Sequence, residues 1–187
     1  MDAKTWPKGL KVAVNLSAVQ FRSGNVRQAV ISALGASRLL PQQLELEVTE
    51  SVLLDERDGV GETLEKLRGL GVGIALDDFG TGYSSLSYLR RFRFDKIKID
   101  QSFVRELGAR ADASCAILRS IIALGKSLGI ETTAEGVETE EQLERMRAEG
   151  CTEVQGYYIS KPRPASDVPN MIAEARGLGP SETRRAS

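Results

Sequence analysis

The 187 residues contain no histidine, and that absence excludes more chemistry than any other count. Without imidazole there is no Ser/His/Asp or Cys/His nucleophile system, no His-ligated zinc or haem, and no histidine proton shuttle. Cysteine is almost as scarce. Cys115 and Cys151 stand far apart with no CxxC spacing, which argues against a disulfide framework or a structural zinc site and for free thiols in a reducing cytoplasm. No apolar run approaches the roughly 18–20 residues that cross a bilayer, and the start MDAKTWPKGLK has no signal-peptide core, so no membrane contact is expected of this segment. An excess of positive charge is missing too. With 25 Lys+Arg against 26 Asp+Glu, the chain shows no sign of a surface for nucleic-acid polymers. What remains is an ordinary globular composition, 41% hydrophobic and 27% charged, in which acid, base or metal chemistry falls to carboxylates, lysine and amides.

Short apolar strands alternate with longer amphipathic segments. The strands are expected at Leu10–Leu16, Leu44–Val48, Val72–Leu76, Asp95–Ile99, Ile130–Ala134 and Glu153–Tyr157, and the helices at Val26–Leu34, Glu62–Leu70, Ala116–Leu128 and Glu140–Glu149. Thr139 with Gln142 three residues later reads as a capping box. Gly35, Gly71, Gly129 and Gly150 stand where helices should end. This alternation predicts an α/β fold with a parallel sheet.

Residue parity chooses between an open doubly wound sheet and a barrel. In LELEV, Leu44, Leu46 and Val48 share one face while Glu45 and Glu47 share the other, and similar splits set Val72, Ile74 and Leu76 against Asp77, and Ile97 and Ile99 against Lys96 and Lys98. One face suits helices and the other is polar, as in a TIM-like (β/α) barrel with a site in its mouth. Six strands are expected where such a barrel has eight, so the fold reads as incomplete by about two βα units. Residues 1–176 form the partial barrel domain, and the aperiodic tail 177–187 is expected to be disordered.

Asn15, Glu47, Asp77, Asp78, Lys98, Glu135 and Gln155 lie at or just past strand ends, where a barrel gathers residues distant in sequence. Several carboxylates buried together call for compensation, and an all-oxygen donor set favours Mg²⁺ or Mn²⁺ over zinc or copper. In Asp77-Asp78-Phe79-Gly80-Thr81-Gly82 the glycines allow a turn that aims both aspartates at one site, the makings of a two-metal centre for phosphoester hydrolysis. Residues alone reach a hard-metal phosphoester hydrolase in a barrel.

Six strings then appear in order: VNLSAVQF at 14–21, ELEVTES at 45–51, ALDDFGTGYSSLSYL at 75–89, KIKIDQSFV at 96–104, TAEGVET at 133–139 and QGYYISKP at 155–162. Between about Trp6 and Pro164 the chain thereby resembles the EAL domains, bacterial phosphodiesterases that hydrolyse cyclic di-GMP. The resemblance implies linear pGpG as product, a two-metal site using Mg²⁺ or Mn²⁺ with Ca²⁺ inhibitory, a homodimer, a cytoplasmic setting, and a sensor or diguanylate cyclase domain upstream in a longer parent. It implies Asn15 and Glu47 as ligands of the first metal, Asp77 as the bridge, and Asp78 with Glu135 as ligands of the second. Lys98 and Glu135 would be the catalytic pair around the water, Gln155 would approach the substrate phosphate, and Glu50 would stabilise the DDFGTG loop. Glu45, Glu131 and Glu138 are read as solvated or structural charges. The Glu-Ala-Leu string that names the family is absent from the 187 residues, and the expectation is a segment whose activity is impaired without that strand. A non-catalytic module that binds cyclic di-GMP or a protein partner is the alternative.

Overall fold

A computed structural model describes residues 10–53, 59–80, 86–106 and 111–175. Six strands form one parallel sheet in sequence order: β1 Val12–Leu16, β2 Leu44–Thr49, β3 Gly73–Phe79, β4 Lys96–Ile99, β5 Glu131–Ala134 and β6 Glu153–Val154. Strictly sequential parallel neighbours require a crossover of the same sense at every step, which is how a (β/α) barrel is wound. Between the strands run α1 Ala18–Arg22, α2 Val26–Ser37, α3 Glu50–Leu53, α4 Val60–Gly69, α5 Leu86–Arg91, α6 Gln101–Arg105, α7 Ala111–Leu128 and α8 Glu140–Glu149, and α9 Val168–Ala175 follows β6. Over the described residues the architecture is six parallel βα units of (β/α)-barrel type. Among the described residues, β1 and β6 are its outermost strands.

The outward face follows the parity of the sequence. Val48, Ile74, Ile97 and Ile99 are fully buried against helix residues such as Leu67, Leu118 and Met146. At about 1.5–3 kcal/mol for each large apolar side chain removed from water, this seam dominates the stabilisation of the sheet. β1 departs from the pattern: Val14, on the same face, stays 42% exposed on a strand that has one strand neighbour among the described residues.

Local signals set the boundaries. The Thr139–Gln142 capping box forms, with Gln142 N donating to Thr139 Oγ1 at 3.2 Å and Gln142 Oε1 accepting from Thr139 N. An equivalent box at Ser17 and Gln20 starts α1. Gly71, Gly129 and Gly150 have φ of 92°, 69° and 83° at helix ends, as expected. Gly35 does not end a helix. It lies inside α2, which is terminated by Arg38 in the left-handed conformation, φ 56°. Asp95 is not in β4 either; its carboxylate accepts from Ile74 N at 2.9 Å and from Arg68 Nη1 at 3.0 Å, bracing the entry to the strand. The sequence expectation for the tail 177–187 falls outside the described residues. Cys115 and Cys151 are both free, and among the described residues no helix is long and apolar enough to cross a membrane.

Candidate metal centre

Side chains on the concave face of a parallel sheet recur every second residue, and alternate strands contribute to the same layer. Glu47 on β2 and Lys98 on β4 share a layer at the C-terminal end, while Asn15 on β1 is in register with Glu47. Lys98, 5% exposed, is the hub. Its Nζ lies 2.9 Å from Glu47 Oε2, 2.8 Å from Asp77 Oδ1 and 2.7 Å from Glu135 Oε1, so all three ammonium protons have a carboxylate acceptor. Burial works against its charge, but the bonds to Asp77, Glu135 and Glu47 outweigh it and hold the pKa above the ordinary lysine value. Lys98 is therefore a cation in this arrangement.

One lysine faces four carboxylates. Asp77, Asp78 and Glu135 each offer an oxygen, and the three atoms lie within 4.8 Å of one another. Two adjacent strand residues point the same way because β3 is irregular. Its register against β4 shifts between Leu76 and Phe79, and Asp78 adopts φ 53°. The turn thus begins on Asp78 itself, ahead of Gly80 at φ 101°; Thr81 and Gly82 lie outside the described residues. A non-glycine residue in the left-handed region costs about 1–2 kcal/mol, a strain retained where both carboxylates are needed. Desolvation first, then the charges of Asp77 and Asp100, push the Asp78 carboxyl upward. Glu135 is also raised, by burial and by Asp77 and Glu47, against the opposing pull of Lys98. The excess of negative charge and the all-oxygen donor set fit hard divalent cations.

Asn15 completes the group. With its amide turned to donate, Nδ2 stands 3.0 Å from Asp77 Oδ2 and 3.3 Å from Glu47 Oε2; turned the other way, the same site presents a neutral oxygen. Gln155 follows β6, its backbone fixed by Gln155 N donating to Ala134 O at 2.8 Å and Val137 N donating to Gln155 O at 3.1 Å. With Glu47, Lys98 and Thr133 it lines a cavity of about 310 Å³ on the concave face. Glu50 opens α3 directly after β2, as a carboxylate in the first turn of a helix. Its expected partner loop reaches into residues 81–85, outside those described.

Two features were not singled out in the sequence. Asp100 caps α6, accepting from Ser102 N at 2.9 Å, and its charge bears on Asp78; its position in KIKID, at the end of the lysine strand, was the available signal. Beneath the site lies a second ionic layer. Lys96 Nζ is 3.1 Å from Glu45 Oε1 and 2.6 Å from Glu153 Oε2, and Lys11 Nζ is 3.6 Å from Glu45 Oε2 and 3.7 Å from Glu131 Oε2. Burial opposes the Lys96 charge, but its bonds to Glu153 and Glu45 prevail and hold its pKa up. Glu45 is thus a buried, paired charge rather than a solvated one, whereas Glu131 and Glu138 are half-exposed and paired loosely with Lys11 and Arg105. A larger cavity, about 750 Å³, opens at the opposite end of the strands around Arg68, Phe94 and Asp95. The convergent carboxylates are not there.

A curved parallel sheet with carboxylates, an amide and a buried lysine gathered at its strand ends defines a chain of (β/α)-barrel type whose donor set fits hard cations. Its family follows from comparison: the EAL domain model matches residues 1–162, and the chain belongs to the EAL domain family. It is 44% identical over 162 residues to the bifunctional diguanylate cyclase/cyclic di-GMP phosphodiesterase MucR of Pseudomonas aeruginosa, covering 87% of this chain and 24% of that protein. The solved MucR phosphodiesterase in complex with cyclic di-GMP superimposes with a TM-score of 0.79 at 45% identity, over 84% of this chain and 64% of that one. Klebsiella pneumoniae BlrP1, solved with manganese and cyclic di-GMP, gives a TM-score of 0.77 at 36% identity over 86% of this chain and 41% of that one. The chain spans about a quarter of the length of the curated relatives it matches.

Proposed function

We propose that this chain is the barrel segment of a metal-dependent phosphodiesterase that hydrolyses cyclic di-GMP to linear pGpG in bacterial second-messenger signalling. The observation that carries the reading is the convergence of Asp77, Asp78 and Glu135 within 4.8 Å beside the Lys98 ammonium. The residues that would hold two cations are Asn15, Glu47 and Asp77 on one side and Asp77, Asp78 and Glu135 on the other, with Asp77 shared. Bound there, Mg²⁺ or Mn²⁺ would supply Lewis acidity toward the water and the departing oxygen.

The chain's own groups do the rest. Glu135 accepts the proton of the attacking water, and Lys98 holds that carboxylate and Asp77 in place while offsetting their charge. Gln155 offers an amide donor to a phosphate oxygen. The water oxygen forms a bond to phosphorus, the bond from phosphorus to the 3′ oxygen breaks, and that oxygen takes a proton from solvent while Glu135 releases its own to solvent. Consumption of one water yields one linear dinucleotide. Ca²⁺, with longer bonds and looser coordination, would occupy the carboxylates without supporting turnover. The substrate assignment is supported by the likeness to MucR and BlrP1, both solved with cyclic di-GMP. A homodimer, a cytoplasmic setting and a partner sensor or cyclase domain belong to the same reading.

Cyclic di-GMP incubated with Mn²⁺ and the chain joined to an upstream Glu-Ala-Leu strand should give pGpG by anion-exchange chromatography, while the 187 residues alone give little or none. The reading fails if the joined protein binds cyclic di-GMP in Ca²⁺ by calorimetry yet leaves it intact in Mg²⁺ and Mn²⁺. That outcome would mark a receptor.

A further inference from the structure

Barrel interiors below the mouth are ordinarily filled by branched apolar residues. This one holds ions. Glu45 on β2, Lys96 on β4 and Glu153 on β6 come from alternate strands and form a single layer, with Lys96 bonded to both carboxylates and only 5% exposed. Thr133 on β5 joins it, its Oγ1 donating to Glu153 Oε2 at 3.1 Å. Inward-facing residues recur every two positions, so each member stands directly below a residue of the proposed site on the same chain segment: Glu45 below Glu47, Lys96 below Lys98, Thr133 below Glu135, and Glu153 below Gln155.

The layer reaches across the sheet. β2 and β6 are separated by three strands in the hydrogen-bonded order and share no backbone bond, yet Lys96 ties both to β4 through side chains. Lys96 and Glu45 are buried while the Glu153 side chain is 45% exposed; hydrocarbon of similar volume in place of the buried pair would stabilise as well or better, because burying ions carries a desolvation cost that well-packed hydrocarbon does not. What ion pairs add is direction: a 2.6 Å bond fixes separation and rotation where apolar contact permits sliding.

We infer that Lys96 is a positioning residue, the centre of an ionic floor that fixes the spacing of β2, β4, β5 and β6 and thereby the geometry of the Glu47, Lys98, Glu135 and Gln155 cluster above it. The inference rests on the proposed metal-site reading for its functional consequence, and on the layer itself for its mechanical one.

Lys96→Met alone leaves Glu45 and Glu153 without their shared cation and lowers Tm. The decisive protein is the apolar floor, Glu45→Leu/Lys96→Met/Glu153→Leu. It should melt at or above the wild-type temperature, yet bind Mn²⁺ at least tenfold more weakly by electron paramagnetic resonance titration. In the metal-free protein its Glu135 and Gln155 amides, which donate to Ile99 O and Ala134 O, should exchange with solvent at least tenfold faster. Lys96→Arg, which keeps a cation, should hold both quantities within threefold of wild type. An apolar floor with unchanged Mn²⁺ affinity and unchanged exchange overturns the inference. Wild-type protein that takes up no Mn²⁺ overturns the metal reading instead, and the exchange rates still decide the floor. Should the triple variant not fold, Lys96→Gln against Lys96→Arg decides by the same two readouts.

Discussion

Lys98 carries the local charge balance of the site, and its neighbours set what each titration does. The unfolded chain releases the Asp78 and Glu135 protons at ordinary carboxylate values, whereas the folded protein holds them to higher pH. Between those values the native state binds more protons than the unfolded one, so metal-free stability falls as pH rises through that window. Because Glu153, despite burial, is held below its ordinary value by Lys96 and works the other way, the decline should be read as the difference between wild-type and Asp78→Asn melts in EDTA as pH rises from the ordinary carboxylate range. Asp78→Asn should flatten it and raise Tm by roughly 1–3 °C near neutrality, a modest gain because Asp78 is exposed and screened. A fall in Tm on that substitution would contradict the assigned strain of charge. Lys98 behaves oppositely at the alkaline end. Its contribution is complete below the ordinary lysine value of 10.5 and is lost as pH rises through its higher folded value. Lys98→Met should cost the metal-free protein about 3–5 kcal/mol in urea titration, because a buried set of carboxylates loses its cation; a cost below about 1 kcal/mol would mean that water already screens the site.

Among the elements, the short connections after the strands matter most. α6 packs against both loops that carry the proposed ligands: a Cβ on Gly80 would meet the Phe103 ring at 2.6 Å, and one on Gly136 would meet Gln101 Cβ at 2.6 Å. Across the next turn, a Cβ on Gly156 would run into the Val137 backbone. The obstacle decides the expected cost. Gly156→Ala must displace main chain beside Glu135 and Gln155, and should lower Tm more than Gly80→Ala, where a ring edge can rotate away although φ stays unfavourable. Equal losses measured by differential scanning calorimetry would show that left-handed strain and ring contact at Gly80 together match the clash at Gly156. These connections were also the least legible part of the sequence. The alternation of Leu44, Leu46 and Val48 with Glu45 and Glu47 placed β2 correctly, because an apolar helix-packed face and an ionic concave face, both buried, leave a period of two. The α1, α3 and α6 helices, four or five residues long, carry too few turns to leave a period of 3.6. The bulge at Asp78 depends on register against β4, which no local string encodes. The candidate site was readable as polar residues at strand ends, whereas the floor was not: parity puts Glu45 and Lys96 on the polar face, but their pairing with Glu153 appears only when the curvature of the sheet brings β2, β4 and β6 within side-chain reach.

At the scale of the whole sheet, β1 and β6 have no second strand neighbour among the described residues, and apolar side chains are exposed there, Val14 at 42% in β1 and Tyr157 and Ile159 at 59% and 58% after β6. Open edges with apolar neighbours favour association. Sedimentation of the 187-residue chain should accordingly show concentration-dependent dimers or larger species, reduced when an upstream strand is joined to it; a monomer at every concentration would mean that the edges are protected. The same geometry makes folding and metal binding mutually reinforcing, since cations offset the charge that the concave face concentrates. A ligand at a hundred times its Kd adds about 2.7 kcal/mol to the folded state. The most direct measurement is therefore Mn²⁺ titration of the purified chain followed by electron paramagnetic resonance, with Asp77→Asn and Glu135→Gln alongside. Saturable uptake by the wild type, displaced by Mg²⁺ and lost in both folded variants, is the predicted result. Absence of uptake, or uptake that survives both substitutions, would contradict the assignment of these carboxylates as the metal centre.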